Sequence, residues 1–233
     1  GKVFVLEANP RASRTVPLVS KVCNIRMVPL ATEIITSELT GRPSPVPALK
    51  EQDIPYYGVK EAAFPFNMFQ EVDPLLGPEM RSTGEVLGLA PTCGEAFVKS
   101  QEGVSQILPE SGTVLISVNR KDKPEVVELA KKFDEIGFKI IATGTTCDLI
   151  TDAGIPATKV KKRYEGRPNV LDIITNGEVD LIVNSPSGKE SVNDDSYLRK
   201  AAIKGKIPYM TTMAAAFATA DGIKTVKESR YSG

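Results

Sequence analysis

Histidine is absent from all 233 residues. Its absence excludes Ser-His-Asp and Cys-His catalysis and removes the commonest ligand of catalytic zinc. Cysteine is scarce. Cys23, Cys93 and Cys147 are far apart and odd in number, which speaks against a disulfide framework or a CxxC metal site and suits a reducing cytosol. Buried free thiols are the plain reading of all three. Net charge is missing as well: Lys+Arg and Asp+Glu are both 29. Bulk attraction to a nucleic-acid polymer or an anionic membrane is therefore not expected, while a local cationic pocket for one small anion is permitted. No apolar run approaches the roughly 20 residues that span a bilayer. The opening Gly1–Leu6 turns polar too soon for a signal peptide. It lacks an initiator Met and reads as a start within a longer, cytoplasmic protein.

What remains for chemistry is carboxylates, lysine, arginine, hydroxyls and backbone amides, a set suited to anion binding and metal-assisted phosphoryl transfer. The apolar 41% and charged 25% are ordinary for a globular chain with a core. The length allows one large or two modest domains.

Three zones follow one another. In the first, to about Thr40, an apolar strand over Val3–Leu6 is expected to deliver Glu7 and Asn9. Val16, Val19, Ser20 and Cys23 fall at helical spacing, and a second helix is predicted over Pro29–Leu39 with Gly41 as its stop. The middle zone, about Gly41–Ser105, is rich in Pro and Gly, so regular elements should be short. Its aromatics, among them Tyr56, Tyr57, Phe64, Phe66 and Phe69, argue for a structured connector instead of a disordered linker. From about Gln106, strand-like segments (Thr113–Val118, Phe138–Ala142, Thr158–Val160, Val179–Val183, Ile207–Met210) alternate with helix-like ones. Val126, Leu129, Ala130 and Phe133 make one apolar stripe that stops at Gly137; Leu171 and Ile174 begin another that stops at Gly177. That alternation predicts an α/β fold: a Rossmann-like parallel sheet flanked by helices, with its ligand beyond the carboxyl ends of the strands.

The strand ending at Ala142 runs into Thr143-Gly144-Thr145-Thr146 and a helix. Backbone N–H groups at such a turn suit a phosphate; the alternative is that Thr simply caps the helix. The next strand ends in Asn184-Ser185-Pro186-Ser187-Gly188-Lys189. Lys161-Lys162-Arg163 follows a third strand and Lys123 a fourth. Polar and basic groups thus converge at one predicted sheet edge, a registry that a merely solvated charge run would not need.

Ile141–Ile150 and Tyr164–Gly188 resemble the methylglyoxal-synthase-like domain. Methylglyoxal synthases themselves use histidines and a Gly-Gly-Asp where this chain reads Ser187-Gly188-Lys189, so that lyase activity is not expected. Glu7–Val22 is similar to the closing segment of the second ATP-grasp domain of carbamoyl-phosphate synthetase large subunits, and Val59–Gly88 to the stretch that follows it. The resemblance covers essentially the whole chain in the same order. It implies two parts: residues 1–105 as the C-terminal part of the ATP-grasp domain with a connector, and residues 106–233 as a methylglyoxal-synthase-like allosteric domain.

The resemblance further implies a ligase that makes carbamoyl phosphate from bicarbonate, ammonia and two ATP. Ammonia would come from a small glutaminase subunit, and the remainder of the large subunit would supply the rest of the ATP site. Alone, this fragment is expected to be inactive. Glu7 and Asn9, two apart on a strand, share a face and offer hard oxygens to Mg²⁺ or Mn²⁺; a salt bridge from Glu7 to Arg11 or Arg14 is the other reading of the same residues. In the family's pattern Glu7 and Asn9 match the metal ligands, Glu7 also touching ATP, and Arg11 the catalytic arginine. The effector pocket, for a nucleotide of the UMP or IMP type, carries over to Lys123, Thr143, Thr146, Lys162 and Asn184. Pro186 departs from the family's Thr and removes a hydroxyl and an N–H donor. Glu61, Tyr209 and Thr211 match an ornithine-type activator site, or form an interdomain hydrogen-bond cluster. Relatives associate through the allosteric domain, so a homodimer is implied.

Overall fold

The computed structural model describes residues 4–7, 13, 15–46, 50, 51, 53–63, 84–185 and 192–231. Asn9, Arg11, Arg14, Pro186 and Lys189, together with Phe64, Phe66 and Phe69, lie outside them.

The first zone holds two helices, α1 (Thr15–Val22) and α2 (Met27–Thr40). Gly41 ends α2 at φ 69°, a left-handed conformation that glycine adopts without a Cβ clash. The strand expected over Val3–Leu6 is not found where it is described: residues 4–7 have no regular structure, and Phe4, Val5 and Leu6 are 77%, 84% and 96% exposed. An apolar, β-prone run becomes a strand only when a neighbouring strand takes up its backbone N–H and C=O groups. No strand lies beside residues 4–7 among the described residues.

In the middle zone β1 (Tyr57–Ala63) and β2 (Gly84–Ala90) pair antiparallel, Tyr57 opposite Ala90 and Ala63 opposite Gly84. Lys60 and Glu85 form an ion pair across them at 2.9 Å. Helix α3 (Cys93–Gly103) starts at Thr92, whose hydroxyl accepts a hydrogen bond from Glu95 N at 3.3 Å. It lies across β2 at Gly88, where any Cβ would overlap the Ala96 carbonyl oxygen.

The rest is a five-stranded parallel sheet in the order β5-β4-β3-β6-β7: β3 (Gly112–Ser117), β4 (Phe138–Thr143), β5 (Thr158–Val160), β6 (Leu181–Asn184) and β7 (Tyr209–Met210). Helices α4 (Lys123–Ile136), α5 (Gly144–Asp152), α6 (Val170–Thr175), α7 (Val192–Gly205) and α8 (Met213–Tyr231) connect and follow these strands. Strand pleating splits the core into two. Val114, Ile116, Ile140, Ala142, Leu181 and Val183 face a layer containing Val126, Leu129 and Phe133 of α4, Ile150 of α5 and Ala216 of α8. Leu115 and Ile182 face the other way, onto Val170, Ile173 and Ile174 of α6 and Leu198 and Ala202 of α7. Near-continuous apolar strands are what burial on both faces requires. Both predicted stops hold: Gly137 and Gly177 take φ values of 94° and 73°.

From β3 the chain moves through α4 to β4 on one side. From β6 it moves through α7 to β7 on the other. The direction of winding therefore reverses between β3 and β6, which opens a crevice beyond their carboxyl ends.

Candidate functional site

Three polar side chains form a cross-strand row at that crevice. Ser117, the last residue of β3, is in register with Asn184, the last of β6. Thr143 ends β4 one step beyond the Ile116–Ala142 pair, and its hydroxyl donates to Ser117 Oγ at 2.9 Å. Thr143 and Asn184 are each 3% exposed. The alternative of simple capping does not hold for Thr143: it occupies the N-cap position of α5, yet its side chain makes no capping hydrogen bond. The first N–H groups of α5, beginning at Gly144 (φ 42°), are therefore left for water or an anion.

The loops after β3 and β6 are laced together. Asn119 Oδ1 accepts from the N–H groups of Lys121 at 2.7 Å and Asp122 at 3.2 Å. Asn119 Nδ2 donates to Asp122 Oδ2 at 2.8 Å, and Asn119 N donates to Ser185 Oγ at 3.0 Å. The Ser185 amide in turn donates to the Ser117 carbonyl at 3.1 Å. These bonds tie the loop after β3 to the loop after β6.

Lys123 is the first residue of α4, and its ammonium donates to the Thr145 hydroxyl in the first turn of α5. A cation at a helix N-terminus works against the helix dipole, by about 0.3–1 kcal/mol. Lys162 follows β5, where its backbone N–H donates to Glu165 Oε2 at 2.8 Å and its ammonium stands 6.0 Å over the Tyr164 ring. Among the described residues, neither ammonium has a carboxylate partner. Lys159, within β5 itself, does: Asp148 lies 2.8 Å away and holds the Lys159 ammonium above its ordinary pKa, the hydrogen bond being the main cause. Among the described residues, two ammonium groups without a carboxylate partner, the first turn of α5 and a row of hydroxyl and amide groups stand at the carboxyl ends of the strands, a chemistry suited to a small polyanion.

The structure thus brings together the tips that carry Thr143 and Asn184, and joins Lys123 to the turn that contains Thr146, itself 2% exposed. Sequence reasoning missed Ser117. Its signal was available: a hydroxyl residue ends the apolar run Val114-Leu115-Ile116 where the winding reverses.

The residues matched to an activator site divide differently. Glu61 of β1 accepts from Gln101 Nε2 of α3 at 3.1 Å, with Gln101 only 4% exposed. Tyr209 of β7 instead reaches Asn184, whose Nδ2 lies 2.6 Å from its hydroxyl. Thr211 follows β7 and is exposed. Glu7 sits in the exposed segment before α1, and its expected companions Asn9 and Arg11 lie outside the described residues. Among the described residues no cluster of three or more acidic, cysteine or histidine side chains could hold a metal, and no helix is long and apolar enough to cross a membrane.

Comparison with known proteins adds a lineage to this geometry. Residues 125–211 match the MGS-like domain family. The carbamoyl phosphate synthase large chain of Gemmatimonas aurantiaca is 48% identical over 223 residues, covering 96% of this chain and 20% of that protein. The carbamoyl phosphate synthase large chain, C-terminal section, of Aquifex aeolicus is 43% identical, covering 100% of this chain and 46% of the relative. The large chain of Archaeoglobus fulgidus is 46% identical over 232 residues, covering 99% of this chain and 21% of the relative. The chain thus spans less than half the length of the curated relatives it matches.

Proposed function

We propose, from the premise that this chain is homologous along its length to the C-terminal region of carbamoyl phosphate synthase large chains and carries an MGS-like domain, that it senses a nucleotide within such a synthase. In this reading residues 106–233 form the sensing domain. Residues 1–105 close the ATP-grasp domain that phosphorylates carbamate. The row Thr143–Ser117–Asn184 supports the sensing role, because the Thr143 hydroxyl joins the strand tips instead of capping its helix.

The phosphate of a UMP- or IMP-type effector would lie against the first turn of α5. Lys123 and Lys162 would neutralise it, Thr143 and Thr146 would donate hydroxyls, and Asn184 would close the row. Phosphate monoesters carry close to two negative charges near neutral pH, which matches the two ammonium groups that have no carboxylate partner among the described residues. Glu7 and Asn9, if they meet one ion in the complete enzyme, suit Mg²⁺ or Mn²⁺ because both offer hard oxygen ligands. Such an ion would supply neutralising charge to the phosphates of ATP, and Arg11 would add to it at the transferring group. An ornithine-type ammonium would find the Glu61 carboxylate. The rest of the large chain, a glutaminase subunit supplying ammonia and a second copy of this domain are the partners, in the cytoplasm.

Calorimetric titration of UMP and IMP tests the sensing role; no heat at millimolar ligand overturns it. A carbamoyl-phosphate assay on the chain alone tests the division of labour. None is expected to form, and robust formation without added subunits contradicts this reading.

A further inference from the structure

We propose that the Tyr164 ring is the platform on which the base of the nucleotide stacks, so that this side chain separates a nucleotide from a bare sugar phosphate. The proposal rests on the nucleotide reading above and adds to it the place of the base.

The sheet register puts Tyr164 beside the phosphate seat. Val160, the last residue of β5, is the partner of Thr143, the last of β4. The two parallel chains leave the sheet side by side, one into α5 at Gly144, the other through Lys161 and Lys162 into a 3₁₀ turn over Arg163–Glu165. Tyr164 is the middle residue of that turn. Its ring centroid lies 6.0 Å from the Lys162 ammonium. That is the outer limit of cation–π attraction. The ammonium thus stands near the ring without covering it, and Tyr164 is 68% exposed. In a nucleotide one sugar separates the base from the phosphate. A phosphate neutralised by Lys162 therefore brings its base within reach of the ring.

Exposed tyrosines are common, and one on a loose loop would say little. This turn is braced at both ends. Glu165 N donates to the Lys162 carbonyl at 3.0 Å, and Glu165 Oε2 accepts from Lys162 N at 2.8 Å. Val170 N donates to the Lys161 carbonyl at 3.0 Å, and Asn169 Nδ2 donates to the Gly166 carbonyl at 3.0 Å, which closes the loop at its base. Arg163, beside Tyr164 in the turn, lays its guanidinium over the Tyr197 ring of α7, 3.7 Å from the centroid. The backbone under Tyr164 is fixed by these contacts, while the side chain itself stands in solvent. A tyrosine has only two side-chain torsions to immobilise, so stacking on a ring held in this way costs little ordering entropy. Every nucleobase offers a flat π-face, and laying it on the ring removes apolar area of both from water. The purine of IMP covers more of the ring than the pyrimidine of UMP.

Calorimetry of UMP, IMP and ribose 5-phosphate with the native chain, Tyr164→Phe and Tyr164→Ala tests the platform. Tyr164→Ala should weaken UMP about five- to thirtyfold and IMP at least as much. It should leave ribose 5-phosphate as it was, and Tyr164→Phe should restore both nucleotides. Native-like binding of both nucleotides by Tyr164→Ala, or an equal loss for ribose 5-phosphate, overturns the proposal and leaves the nucleotide reading intact. A native chain that binds neither nucleotide at millimolar concentration removes that reading and the proposal together. Tryptophan is absent from the sequence, so Tyr164→Trp places a single fluorescent reporter in the platform. Its emission should be quenched by UMP and IMP at the midpoints found by calorimetry, and not by ribose 5-phosphate. Unchanged emission at saturating nucleotide overturns the assignment even where ribose 5-phosphate binds too weakly for calorimetry.

Discussion

Gly222 of α8 backs directly onto Gly94 of α3: a Cβ added to Gly222 would stand 3.1 Å from the Gly94 carbonyl oxygen and 2.9 Å from Val98 Cγ2. A Cβ at Gly94 would likewise stand 2.9 Å from Thr225 Oγ1. On its other side α3 presses on β2 at Gly88. The helix is therefore held by backbone-to-backbone approach between the β1–β2 ribbon and the long helix that follows β7. Helix α8 begins three residues after Met210, whose neighbour Tyr209 bonds Asn184.

These contacts predict a graded series. Gly88→Ala should be the most damaging, near the upper end of the about 1–3 kcal/mol that overpacking costs, because only backbone atoms of α3 stand in its way. Gly222→Ala should cost less, since Ala favours a helix over Gly by about 1 kcal/mol and the Val98 side chain can yield. Urea denaturation of the three proteins measures this order; a reversed order would show that α3 can shift away from β2.

The cysteines should differ in reactivity. Cys93 is exposed, whereas Cys147 is buried in the core. Burial, with the Asp148 carboxylate adding to it, pushes the Cys147 thiol above its ordinary pKa and disfavours the reactive thiolate. A colorimetric thiol assay at pH 8 should find Cys93 labelled fast in the native protein and Cys147 labelled only after unfolding. Equal rates would contradict the packing of α5 against β4.

The Lys132–Asp221 pair, 2.6 Å apart, ties α4 to α8. The hydrogen bond to Asp221 is the main reason the Lys132 pKa is raised. A raised lysine pKa stabilises the fold fully below the unfolded-state value, about 10.4, and the gain is lost as pH rises through the folded value. Both side chains keep solvent contact, so Asp221→Asn should cost only about 0.2–1 kcal/mol at pH 7. That difference from the native chain should shrink above about pH 10.4 in thermal melts; a difference that grows with pH would show that another group is responsible.

The parallel sheet was readable because its strands are short apolar runs between amphipathic helices, and burial on both faces forces that pattern. The five expected strands were found within two residues of their ends, β7 keeping only Tyr209 and Met210 of Ile207–Met210. Local pattern failed where partners decide. Val3–Leu6 has the composition of a strand, yet its described residues are exposed coil, while β1, with Lys60 and Glu61 inside it, is a strand because β2 supplies its ladder. In the site, the residue types of Lys123, Thr143 and Asn184 were legible. The bonds were not: which of two partners the Thr143 hydroxyl takes, and that Tyr209 turns toward Asn184, depend on register between strands far apart in sequence.

The most direct test records ¹⁵N–¹H spectra of the chain during a UMP titration. The largest, saturable shifts should fall on the backbone N–H groups of Gly144, Thr145 and Thr146, with Ser117 and the Asn184 side chain following at the same ligand concentrations. Shifts confined to other regions, or none up to millimolar UMP, would contradict a phosphate seat at the head of α5.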